Sequence, residues 1–184
     1  MKLNIRSIVL TFVLAVTALT VLRPAYAAPA TPLDQQAQAA LDALYASSPG
    51  AKALGAQAKA ILVFPDIRKA ALVLGGQGGD GVMFSDGKIV GHYNANGVLV
   101  GLEAGAQSYA YALFLMSDNA VRNLRANNGF ELGVDPNIVV VDAGAAKEIT
   151  TSTTRADVYS YVFGQKGLMG GVAVQGLKIS RTGP

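Results

Sequence analysis

Glycine placement constrains this chain more than any other feature. All 21 glycines lie beyond residue 27, which makes them about 13% of residues 28–184 against near 7% in an average protein. Several stand inside apolar runs of strand composition, as at Gly101, Gly105, Gly170 and Gly171. Glycine inside a strand gives up side-chain packing and marks a bulge, a bend or a close approach of two backbones. The expectation is an α+β fold built on an antiparallel, strongly coiled or barrel-like β-sheet.

Charge separates the first residues from the rest. Of 15 basic residues, Lys2, Arg6 and Arg23 precede residue 28; the remaining 12 balance 12 acids, so the net +3 belongs to that segment. Lys2 and Arg6 form a positive n-region, Ser7 to Leu22 is uncharged and mostly apolar, and Ala25-Tyr26-Ala27 is a small-x-small cleavage pattern. These are the parts of a secretory signal. The expectation is a signal peptide over 1–27, cut after Ala27, then a single domain over 28–184 with a periplasmic or secreted location. With no cysteine, a disulfide scaffold, a Cys-ligated metal and a cysteine nucleophile are excluded.

Helix signals open the domain. Thr31-Pro32-Leu33-Asp34 predicts an N-cap, a first-turn proline and a first-turn acid, with Leu33, Ala37, Ala40, Leu41 and Leu44 on one face. Ser48-Pro49 starts a second short helix over Ala51–Ala60. Strands follow at Ile61–Phe64, ended by Pro65, and at Ala70–Leu74. Next come Val82–Phe84 and Lys88–Tyr93, which flank the tight turn Ser85-Asp86-Gly87. Asn96-Gly97 marks another hairpin, leading into a long strand from Val98. One central helix starts at Ser117, turns Ala120, Val121 and Leu124 inward, and stops at Asn128-Gly129. Ile138–Val141, Val158–Phe163, Val172–Val174 and Leu177–Ser180 read as strands, and Thr150–Thr154 as an exposed strand or loop.

Catalytic motifs fail on their contexts. Gly76-Gln77-Gly78-Gly79-Asp80-Gly81 satisfies G-x-G-x-x-G, but a hairpin follows where a dinucleotide site needs a helix N-terminus; it reads as a glycine-rich strand connection. Gly87-Lys88 lacks the Ser/Thr of a phosphate loop. His92 is the single imidazole, so a hydrolytic device would depend on it together with Glu103 or Asp80, and no G-x-S-x-G elbow is present. The expectation is no catalytic site, no metal site and no cofactor. Glu103 stands in an apolar strand and needs a partner if it faces inward, with Lys178 one possibility. A neutral domain without basic–aromatic interleaving gives no nucleic-acid surface.

Five stretches carry a family resemblance: AKAILVFPDIRKA at 58–70, GGQGGDGV at 75–82, GLEAGAQSYAYALFLM at 101–116, ELGVDPNIVVVDAGA at 131–145 and DVYSYVFGQKGLMGGVAVQGLKISR at 157–181. In this order they resemble the bacterial branch of the SYLF domain family, over a core of about 48–181. The resemblance implies one compact domain of antiparallel strands with packed helices, and lipid binding without chemistry. Eukaryotic members engage phosphoinositides partly through a basic N-terminal segment. Here Lys52 is the one base between residues 28 and 57, against Asp34 and Asp42, so phosphoinositide specificity is not carried over. Actin binding is not expected of an exported protein.

The resulting expectation is an exported lipid-binding domain that engages phospholipid headgroups or a membrane surface. The headgroup candidates are Lys59, Arg68, Lys69, Lys166 and Lys178. The competing reading is an envelope structural or protein-interaction module without lipid dependence.

Overall fold

The computed structural model describes residues 32–126, 131–132, 138–142 and 156–183. Helix α1 (Leu33–Ser47) buries Ala37, Leu41 and Leu44, the face its apolar spacing predicts. Helix α2 (Pro49–Gly55) is shorter than expected; the Ser48 hydroxyl caps it, accepting the Ala51 N–H at 3.2 Å. Three very long strands follow: β1 (Ala60–Ser85), β2 (Lys88–Leu115) and, after helix α3 (Asp118–Ala126), β5 (Val158–Gly183). Short strands β3 (Glu131–Leu132) and β4 (Ile138–Asp142) pair with opposite ends of β5, β3 antiparallel and β4 parallel. The order is β1-β2-β5-β3, an α+β architecture whose sheet is coiled but not closed. Parallel β4 departs from the expected all-antiparallel pattern. The expected Thr31 cap, the Asn128-Gly129 stop and the Thr150–Thr154 segment lie outside the described residues.

The separate strands expected across residues 61–84 are one strand. Pro65 does not end it, because it sits on an edge strand inside the register shift between Phe64 and Ile67, where a missing N–H breaks no ladder bond. The Gly76–Gly81 run is not a connection but part of the ladder, with Gln77 opposite Gly97 and Gly78 opposite Asn96. The expected hairpin at Asn96-Gly97 is therefore mid-strand. The turn at Asp86-Gly87 does form, with φ of 50° and 71°, the paired positive values of a type I′ turn. Likewise Val172–Val174 and Leu177–Ser180 belong to a single β5, which also takes in Lys166.

Strands this long stay compact because they double back. The Ser85 hydroxyl donates to the Lys59 carbonyl at 2.8 Å, so the two ends of β1 meet at the base. Higher up, a methyl built on Gly79 would lie 2.5 Å from the Asp66 carbonyl oxygen, and one on Gly81 would lie 2.5 Å from the Phe64 ring. The two arms of β1 thus approach more closely than any side chain there permits. The Tyr109 hydroxyl of one arm donates to Gln77 Oε1 of the other at 2.7 Å.

At the base both faces of the sheet are covered, which explains the unbroken apolar runs. Leu62, Phe64, Met83, Tyr93 and Leu113 pack with Ala120 and Leu124 of α3. Ile61, Val63, Val82, Phe84 and Phe114 pack beneath α1 and α2. Phe114 meets the Tyr161 ring edge-on at 5.5 Å.

Gly79→Ala is expected to destabilise the domain by roughly 1–3 kcal/mol, because only backbone can give way. Gly76→Ala, whose nearest foreign atom would be at 3.7 Å, should stay within about 0.5 kcal/mol of the parent. Urea unfolding of the two variants checks the contrast.

Candidate functional site

A groove of about 810 Å³ is lined from both arms, by Asp66, Arg68, Lys69, Ser108 and Lys166 on one side and Gln77 and Asn96 on the other. Strand register builds its cationic edge. Arg68 lies opposite Ser108, and Ser108 opposite Lys166, so the two bases share one row across β1, β2 and β5. Both are exposed. Arg68 Nε lies 2.8 Å from Asp66 Oδ2, but that guanidinium is 84% exposed; such a surface pair is worth about 0–1 kcal/mol and leaves its other N–H groups facing solvent.

Lys69 is placed differently. Its Nζ lies 2.8 Å from Glu103 Oε1, with side-chain exposures of only 13% and 11%. Glu103 does have its partner, but it is Lys69 and not Lys178: Glu103 lies on β2 facing the inside of the bend, whereas Lys178 is paired further down the other arm, opposite Asn96. Two enclosed opposite charges this close are largely neutralised toward an approaching anion. Beside them, burial pushes the Tyr109 phenol up to about 12, so it keeps its proton near neutral pH and serves Gln77 as a fixed donor.

Three of the five headgroup candidates, Arg68, Lys69 and Lys166, therefore line one groove. Lys178 is exposed on the opposite arm, and Lys59 sits at the base beside the β1–β2 turn, about 30 Å from Arg68 along an extended strand. Gln77, held by the Tyr109 hydroxyl, and Ser108 also line the groove and were not expected to. The one cue was a polar Gln77 inside a glycine run, which is silent until the arms are known to meet. The residues weighed for catalysis are each engaged structurally: His92 Nε2 lies 2.9 Å from Asp34 Oδ1, fastening α1 to β2, while Asp80 accepts from Asn94 at 2.7 Å.

Residues 96–183 match the family model Ysc84, described as Las17-binding protein actin regulator. That match is consistent with a SYLF-domain protein. The matched stretch runs from the middle of β2 to the end of β5, and so includes Ser108 and Lys166 of the groove. No curated protein matches the chain. The matched family implies binding of lipid or protein in general.

Two measurements probe the interior of the bend. Lys69→Met should cost about 3–5 kcal/mol in urea unfolding, since it strands the Glu103 carboxylate, while Lys69→Met with Glu103→Leu should recover most of that loss. Stability should also fall as pH rises from 10 toward 12. In that window the folded phenol holds a proton that the unfolded chain releases, and Tyr109→Phe should flatten the decline.

Proposed function

We propose that this protein is a non-catalytic, exported lipid-binding module that engages phospholipid headgroups through its groove. The observation that carries the reading is the exposed Arg68–Ser108–Lys166 row: two cations and a hydroxyl, held by three hydrogen-bonded strands at the mouth of a concave site. A phosphate diester presents one negative charge and several acceptor oxygens. A guanidinium matches it through paired N–H donors, and an ammonium supplies a second charge. Lys69 shapes the floor without contributing free charge. The family's lipid-or-protein binding and the signal-like first 27 residues support an envelope membrane as the partner. For the same reason the actin-regulatory wording of the family description is left with the family.

Vesicle co-sedimentation with phosphatidylglycerol-containing liposomes tests this. Basic residues near an anionic surface contribute about 1 kcal/mol each, so Arg68→Ala with Lys166→Ala should weaken binding on the order of 30-fold, and Lys59→Ala should leave it unchanged. Binding equal to the parent in the double variant would remove the groove from the account. Retention of an envelope protein with no dependence on lipid would favour the interaction-module reading instead.

A further inference from the structure

The polarity of the sheet reverses where the long strands bend. Below the bend, apolar side chains point inward, as a sheet in water requires. At the bend they point outward. Leu72, Leu74, Val98, Val100, Leu102 and Leu168 are all exposed, Leu102 by 81% and Leu168 by 88%, while Leu99 between two of them is only 1% exposed. The inward face carries the Lys69–Glu103 pair and the Gln77–Tyr109 hydrogen bond.

Register gathers these residues into one crest. Leu74 is opposite Val100, Leu72 opposite Ala104, and Leu168 opposite Ala106, so the apolar positions run continuously over β1, β2 and β5. Moving down one arm by two residues from the Ala70–Ala106–Leu168 row, the same face becomes Arg68–Ser108–Lys166. Down the other arm it becomes Gly78–Asn96–Lys178. Among residues 70–79, 96–108 and 164–178 the sequence holds a single acid, Glu103, and Lys69 holds its carboxylate. The order is an apolar crest, then a belt of cations in which Arg68 carries the exposed Asp66 beside it.

We propose that the crest is a membrane-insertion edge: Leu72, Leu74, Val98, Val100, Leu102 and Leu168 enter the acyl boundary of a phospholipid bilayer while Arg68, Lys166 and Lys178 remain among the headgroups. The proposal rests on the lipid-binding reading above and adds the mode and orientation of attachment. Apolar outside and polar inside is the alternation of a sheet whose surroundings are hydrocarbon, and cations just above the apolar boundary complement anionic headgroups. The backbone sets the depth. Through most of the crest β2 is hydrogen-bonded on both sides, but the register jump from Leu72–Ala104 to Leu74–Val100 leaves Gly101, Leu102 and Glu103 paired only with β5, and β1 keeps one unpaired edge. An unpaired edge is not tolerated in the hydrocarbon core, which limits the crest to boundary depth, about 5–10 Å. A protein partner would need no such belt, and a second copy would bring the two cationic rims together.

The chain has no tryptophan, so Leu102→Trp supplies a clean depth reporter. In the full-length protein bound to vesicles its emission should shift to the blue and be quenched by lipids brominated on their acyl chains. Unshifted emission in vesicle-bound protein overturns insertion. In parallel, Leu72→Ser with Leu102→Ser should fold as the parent does, because both sites are exposed. It should lose the salt-resistant binding seen at about 0.5 M NaCl, where surface charges are screened beyond a few ångströms, by ten-fold or more. Arg68→Ala with Lys166→Ala should lose mainly the salt-sensitive part. If all binding is salt-sensitive and the serine pair binds like the parent, the headgroup reading stands and insertion fails. If neither protein binds vesicles at any salt, both fail. If the serine pair changes only the oligomeric mass in size-exclusion chromatography, the crest belongs to a second copy and insertion is overturned.

Discussion

The contact that everything else depends on is the approach of the two arms of β1, with Gly79 against the Asp66 carbonyl and Gly81 against the Phe64 ring. Strands of 26 and 28 residues would extend about 85–95 Å if straight and could not share one core. Folding each in half brings Phe64 and Met83 into the same cluster and returns the end of β1 to its start. The cost of the missing side chains is local, since glycine in a strand loses packing and entropy. The gain is a base buried on both faces. Both features follow from where that crease falls: the groove draws its lining from both arms, and the crest is the crease itself.

Polar groups at the crease hold the curvature. Tyr109 and Gln77 lie on opposite arms and meet only because the strands bend. Lys69, whose backbone partner is Gln107, reaches forward to Glu103 across the inside of the curve. A buried ion pair is a poor source of net stability compared with an apolar pair of similar volume. It is well suited to fixing one geometry, because a flatter sheet would separate the partners and leave each charge enclosed without its counterpart.

The local elements were legible in the sequence, and the continuity of the strands was not. Ser48 and Ser117 cap the helices they were expected to cap, the α1 face is the one its spacing gave, and Asp86-Gly87 turns as Asp-Gly turns do. Pro65, Asn96-Gly97 and the 76–81 glycines misled for a common reason. Each is a genuine breaker by local chemistry, but in strands that bend, local breakers become bulges and close approaches instead of ends. The site was half legible. Arg68, Lys69 and Lys166 could be named from the sequence, yet their sorting into free and neutralised cations depends on which side of the bend each faces, and that parity passes through register shifts with no signature of their own. Ala70–Leu74 read only as an apolar strand, because composition cannot distinguish an apolar segment that faces a core from one that faces outward.

The inverted crest and the enclosed ion pair are two sides of one arrangement. Had the crease carried all its apolar residues inward and its charges outward, the interior of the bend would need room for further leucines beside Leu99, where glycines already bring backbones together. Short reach and hydrogen bonding suit that cramped side, so polar residues occupy it; alternation then sends Val98, Val100 and Leu102 out, while the irregularity at Val73 leaves Leu72, Val73 and Leu74 all exposed. A sheet bent this sharply therefore presents an apolar edge as a consequence of how it bends. Selection has only to supply cations along its base, as Arg68, Lys166 and Lys178 do, for that edge to match the boundary of a membrane.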